Sequence, residues 1–152
     1  MIRTHNCGEL RSSCISEKVI LCGWVQTRRD HGGIIFIDLR DKYGLTQIVF
    51  DSGYVLEQAK GLKPEYVISV EGTVRERPEG TVNKNLPTGE IEVVAEKIEI
   101  LNKSKTPPFE VSSDNLASEE IRLKYRYIDL RRETMKKNII LRHEVVLAVR
   151  NF

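Results

Sequence analysis

The chain has 152 residues, 40% hydrophobic and 30% charged, which is the make-up of a globular protein and argues against disorder of the whole. Its formal net charge of +2 is too small to announce a polyanionic partner, so any case for nucleic acid rests on where the charges lie. Cys7, Cys14 and Cys22 form an odd set with no C-x-x-C pair, which suits reduced thiols rather than a disulfide framework or a zinc site.

No run reaches the roughly 20 apolar residues of a membrane span, and the opening Met-Ile-Arg-Thr-His-Asn lacks the apolar core of a signal peptide. The cytoplasm is the expected location. From Lys18 to Leu101 short β-prone runs alternate with turn signals: Val19 to Arg29, Ile34 to Asp41, Leu45 to Asp51, Tyr66 to Arg77 and Ile91 to Leu101. Asp30-His31-Gly32-Gly33 and Lys42-Tyr43-Gly44 are links of hairpin length, so the first three strands should form an antiparallel meander. Between the third and fourth strands Val55, Leu56, Ala59 and Leu62 recur at helical spacing. Three strands, a helix and two strands is the order of an OB-fold, a small five-stranded barrel used for oligonucleotides and oligosaccharides. The fold class is therefore mainly β, with an intervening helix, a linker and C-terminal helices.

The link from Pro78 to Glu90 is polar and carries Pro78, Gly80, Pro87 and Gly89, so a long exposed hairpin loop is expected, of the kind that often carries function. After Leu101 the composition changes. The division is residues 1–104 for the barrel, 105–118 for a linker with Pro107-Pro108, and 119–152 for a helical leader. Ser118 offers an N-cap with Glu119 and Glu120 in the first turn, opening a helix of about one to three turns. From Glu133 to Phe152 the apolar residues cover more than the roughly 100° stripe of a surface helix. That helix should be enclosed by something the chain lacks, and with no stop signal after it the sequence reads as truncated.

An OB-fold binds single strands by laying bases on aromatic rings and holding phosphates with cations. The candidates are Trp24, Arg28 and Arg29 on the first strand, Phe36 on the second, Gln47 on the third, and Arg75 and Arg77 on the fourth. Trp24 sits in the apolar run Leu21 to Val25, which favours the core. Phe36 is open between core and binding face, since Ile35 and Ile37 take the opposite side of the strand. The arginine stripe reads first as a solvated face. Asp38 and Asp41 flank Arg40 and read as a charge pair at a strand end; His5 and His143 are isolated. No phosphate-binding glycine loop, H-E-x-x-H or nucleophile elbow is present, so no catalytic residue is expected in this chain.

At GWVQTRRDHGGIIFIDLRDKYGLTQIVF (Gly23 to Phe50), TGEIEV (Thr88 to Val93) and RLKYRYIDLRR (Arg122 to Arg132), the chain closely resembles bacterial aspartyl-tRNA synthetases along essentially its whole length. The first block would also suit the related asparaginyl and lysyl enzymes; the Asp-Leu-Arg-Arg ending of the third favours the aspartyl family. The resemblance implies an anticodon-binding OB-fold, a hinge, and the start of a class II catalytic domain whose first motif helix lies at a homodimer interface. The complete enzyme would use ATP and Mg2+ to make aspartyl-adenylate and charge tRNA(Asp). The sites for ATP, magnesium and aspartate would lie mostly beyond Phe152, leaving this piece inactive and only binding tRNA.

Carried over by motif position, Phe36 would stack on an anticodon base, Arg29, Gln47 and Glu92 would contact base edges, and Arg77 would join them. Many relatives have a basic residue where this chain has Thr27, so a cation contact is in doubt there. Aspartate and asparagine tRNAs share the anticodon bases G and U and differ at the third, C against U. Relatives that accept both tRNAs resemble this chain in a histidine at His31 and a small residue in the long loop at Gly80-Thr81, implying that the enzyme also charges tRNA(Asn). His31 as a plain turn residue is the alternative. Two other readings stay open: a free-standing OB-fold binding single strands without anticodon specificity, and an interaction domain that pairs through its C-terminal helix.

Overall fold

The computed structural model describes residues 3–112 and 117–152. Five strands, β1 (Lys18–His31), β2 (Ile34–Arg40), β3 (Leu45–Phe50), β4 (Val67–Glu76) and β5 (Ile91–Asn102), are interrupted only by α1 (Gly53–Lys60), the order expected from the sequence. β1 pairs antiparallel with both β2 and β4, β2 with β3, and β4 with β5, while β3 and β5 join in a short parallel ladder. The ring of pairings closes as β1-β2-β3-β5-β4, which removes free sheet edges.

Alternation explains the core. Val19, Leu21 and Val25 on β1, Ile35, Ile37 and Leu39 on β2, Ile48 and Phe50 on β3, Ile68, Val70 and Val74 on β4, and Ile91 and Val93 on β5 are buried in one cluster. Each such side chain taken from water contributes about 1.5–3 kcal/mol. Val55 and Ala59 of α1, with Leu62 and Tyr66 after it, join the same cluster. Trp24 lies on the opposite phase of β1 from Leu21 and Val25 and is only partly buried, so the apolar run around it misleads about its place. At the β1–β2 turn Gly32 and Gly33 take φ of 62° and 92°, which glycine adopts without a Cβ penalty.

Residues 4–17 carry no periodic signal, yet Cys7 and Leu10 are fully buried in the barrel core. Thr4 N–H donates to the Ile20 carbonyl (3.0 Å) and Ile20 N–H to Thr4 Oγ1 (2.8 Å), tying the segment to β1. Thr46 Oγ1 donates to the Cys7 carbonyl (2.6 Å), and a Cβ on Gly8 would lie 2.2 Å from the Tyr43 carbonyl oxygen, so only glycine fits that approach. Burial, with the nearby Asp41 carboxylate, pushes the Cys7 thiol far above the ordinary range.

Arg40 does not pair with its neighbours Asp38 and Asp41. It donates through Nη2 to both Glu65 carboxylate oxygens (2.8 and 3.1 Å). The expected exposed loop after β4 is anchored at its far end: Thr88 and Gly89 are buried, and Thr88 Oγ1 donates to the Leu45 carbonyl (2.5 Å).

The chain divides into compact units 1–106 and 107–152. In the second, α2 (Glu119–Lys124), α3 (Arg126–Asp129) and α4 (Glu133–Asn151) follow in order. Residues 113–116 of the expected linker lie outside the described residues. Ser118 holds the N-cap position of α2, but its side chain makes no capping hydrogen bond; its carbonyl accepts from Arg122 N–H (3.0 Å). Asp129 is fully buried and accepts from Arg126 (2.6 Å), with Arg122 and Arg132 each at 3.8 Å. Ile139, Leu141, Val145, Leu147 and Val149 on α4 are exposed. Among the described residues no helix is long and apolar enough to cross a membrane.

Candidate nucleic-acid interface

A β-bulge decides which side chains reach the outer face. On β1 the register runs Val25↔Leu39 and then Thr27↔Asp38, shifting at Gln26. The odd-numbered residues before it point into the barrel; after it Thr27, Arg29 and His31 stand beside Asp38, Phe36 and Ile34, opposite the buried Ile35, Ile37 and Leu39. The extra residue thus re-aims half a strand.

From there a chain of polar contacts crosses all five strands. Thr27 Oγ1 and Arg29 Nη2 (2.7 Å) donate to separate oxygens of Asp38. Arg29 Nη2 also reaches Gln47 Oε1 (3.2 Å), Gln47 Nε2 donates to Glu92 Oε2 (2.7 Å), and Arg75 Nε donates to Glu92 Oε1 (2.8 Å). Gln47 and Glu92 are buried, at 6% and 1% exposed. Arg75 and Glu92 are direct partners on the β4–β5 ladder.

Arg77 is buried beside this row, donating Nε to the Ile91 carbonyl (3.0 Å) with Nη2 left without a protein partner. Burial lowers its proton affinity, opposed by Glu92 and Asp38, with Arg29 adding repulsion. Three guanidiniums therefore face two carboxylates, a small positive surplus. Phe36 is partly buried on the outer face, with the His31 ring edge-on at 5.9 Å between centroids and 67° between planes. The face offers a ring, an amide, a carboxylate and cations side by side, the set that reads single-stranded bases.

The expected residues Arg29, Gln47, Glu92 and Arg77 are thus gathered on one surface, with Phe36 and His31 on the same side of the β1–β2 ladder. Arg28 leaves the group: it pairs with Ile37 in the register and donates Nη1 to the Lys60 carbonyl at the end of α1 (3.1 Å). Gly80 and Thr81 lie in a turn closed by Thr81 N–H on the Pro78 carbonyl (3.0 Å); Gly80 has φ of 80° and open space where a Cβ would point. Asp38, read from sequence as a strand-end charge, is the site member that reasoning missed; its alternation with Phe36 on β2 was the available signal. Among the described residues no group of three or more His, Cys, Asp or Glu could hold a metal ion.

Residues 19–101 match the family of OB-fold nucleic acid binding domains. The chain belongs to that family. Residues 118–152 match class II tRNA synthetases of the D, K and N group. Curated relatives include the aspartate-tRNA(Asp/Asn) ligases of Protochlamydia amoebophila, 55% identical over 99% of this chain, and of a Geobacillus species, also 55% identical over 99%. The chain spans 26% of the length of each, so it corresponds to about a quarter of those proteins. Among solved structures, asparaginyl-tRNA synthetase from Pyrococcus horikoshii aligns with a TM-score of 0.83 and 30% identity, over 99% of this chain and 35% of that one. The likeness to bacterial aspartyl-tRNA synthetases read from the three sequence blocks thus extends along the whole chain. A lysozyme-binding OBody matches the barrel at a TM-score of 0.58 and 21% identity, over 68% of this chain and 97% of that one, which speaks to fold alone.

Proposed function

We propose that the OB-fold face recognises a tRNA anticodon on behalf of an aspartate-tRNA ligase. The observation that carries this reading is the unbroken row Arg29–Gln47–Glu92–Arg75 alongside Phe36. An aromatic ring alone is sequence-tolerant, whereas an amide and a carboxylate held in fixed orientation discriminate base edges. Phe36 stacks on a base; Arg29, Gln47 and Glu92 meet base edges; Arg77 supplies a cation beside them. On this reading the whole enzyme, a cytoplasmic homodimer, activates aspartate with ATP and Mg2+ as the adenylate and transfers it to tRNA. That chemistry belongs to the class II domain, of which this chain holds the leading segment with α4 at the dimer contact. The alternative of a free-standing OB-fold module leaves the match of residues 118–152 without a purpose.

The relatives' names specify both aspartate and asparagine tRNAs, and His31 beside Phe36, with Gly80 and Thr81 in the long loop, supports the same relaxed specificity here. The test is binding to anticodon stem-loops carrying GUC, GUU and an unrelated triplet at one salt concentration, because phosphate contacts make affinity salt-dependent. Preference for GUC and GUU alike is expected. Equal affinity for all three overturns anticodon reading, and preference for GUC alone overturns only the relaxed specificity.

A further inference from the structure

Gln47 is the neutral link in a row of charges, and its carboxamide can be read in two orientations. As placed, Oε1 accepts from Arg29 and Nε2 donates to Glu92. Turned by half a rotation, the NH2 would face a guanidinium donor and the oxygen would face a carboxylate, two contacts of like on like. Glu92 is held from its other side by Arg75 (2.8 Å) and is almost fully buried, so that end of the row is fixed. Arg29 is different: its side chain is 47% exposed and ends a long flexible stem. What fastens it is Asp38, whose side chain is 19% exposed and whose second oxygen is taken by Thr27.

We propose that Asp38 is a positioning residue of the base-reading face: Glu92 sets which edge of the Gln47 amide donates, and Asp38 holds Arg29 against the edge that accepts. Asp38 has both oxygens engaged by the protein, so it acts on a bound base through Arg29 and Gln47 and not by contact. Thr27 belongs to the same device, since it holds the carboxylate oxygen that Arg29 does not use. The inference rests on the reading of this face as an anticodon site, deepening it from a set of contacts to a directional row.

Asp38→Asn keeps the shape and removes one negative charge. A purely electrostatic role would raise affinity for every RNA and leave preferences intact. The positioning role predicts that the ratio of affinities for GUC over the unrelated triplet falls by roughly tenfold or more, since hydrogen bonds to charged groups are involved, while affinity for the unrelated triplet rises. In an Arg29→Met background the same substitution should leave the ratio unmoved, and Asp38→Glu should restore part of it. A second readout needs no RNA: hydrogen exchange of the Gln47 side-chain amide should be faster in Asp38→Asn than in the parent chain. An unchanged ratio, or an equal loss with and without Arg29, overturns the proposal. If the parent chain shows no triplet preference, anticodon reading fails, and the amide exchange alone decides whether Asp38 positions Gln47.

Discussion

Asp38, inside β2, and Asp41, just past its end, stand three residues apart, and they do opposite work. Asp41 accepts backbone N–H bonds from Cys7 (3.0 Å), Tyr43 (2.7 Å) and Gly44 (3.0 Å), with Arg3 at 3.3 Å. Among the described residues Asp38 accepts only from the side chains of Thr27 and Arg29. Backbone donors are fixed once the chain is folded, so a carboxylate that satisfies them holds the β2–β3 turn and the N-terminal segment in place. Side-chain donors keep rotamer freedom, so a carboxylate that engages them decides where functional groups point. Both carboxylates are largely shielded from solvent; the kind of donor, more than burial, separates a structural acid from one that serves a site.

The largest effect expected from this contrast is at Asp41. Replacing it with Ala strands the buried N–H groups it serves and should cost about 3 kcal/mol, seen as a lower urea midpoint, with the preference between triplets retained in the folded fraction. A loss of triplet preference at full stability would invert the comparison. Phe36→Ala should do the reverse, weakening binding to every stem-loop by about 1–3 kcal/mol through lost stacking, with the urea midpoint little changed because the ring is only partly buried.

A smaller effect concerns Cys7, locked beneath the Asp41 turn. Its folded-state pKa is raised while the unfolded thiol titrates at the ordinary 9.0, so its contribution is present below pH 9.0 and lost as pH rises. Relative to Cys7→Ala, the parent chain should lose about 1.4 kcal/mol per pH unit above that point, with the native thiol refusing alkylation. Parallel stability curves for the two chains would remove Cys7 from the lock. The smallest effect is at the exposed pair Lys18–Glu96 (2.8 Å). Its hydrogen bonds hold Glu96 below the usual carboxylate range, so any stabilisation exists above the unfolded pKa and vanishes as pH falls through the folded one. Glu96→Gln should shift the melting temperature at neutral pH by no more than scan-to-scan scatter.

The barrel was legible because alternation is strong where one face is buried: Ile35, Ile37 and Leu39 mark the inside of β2 and leave Phe36 and Asp38 outside. Trp24 was misleading because Leu21 to Val25 is apolar on both phases and burial follows phase, not neighbourhood. The aim of Arg29 was not legible from periodicity, since continuing the phase of Val19, Leu21 and Val25 places it inside; only the bulge at Gln26 brings it out. The residues before β1 gave no pattern because two isolated apolar side chains, Cys7 and Leu10, carry their burial. Arg77 looked like one more surface cation and is buried, with its Nε on the Ile91 carbonyl and its N–H on the Glu90 carbonyl, a long-range closure that no local pattern announces.

The barrel is closed at its weakest by two register pairs, Ile48↔Val93 and Val49↔Val94, and Gln47 to Glu92 is the side-chain bond that crosses the same seam. On the proposed anticodon reading, binding a base and keeping the barrel shut draw on the same bond. A ligand gripping both residues acts as a clasp, slowing amide exchange along β3 and β5 and raising the melting temperature with its concentration, while any opening of the seam takes the binding face apart.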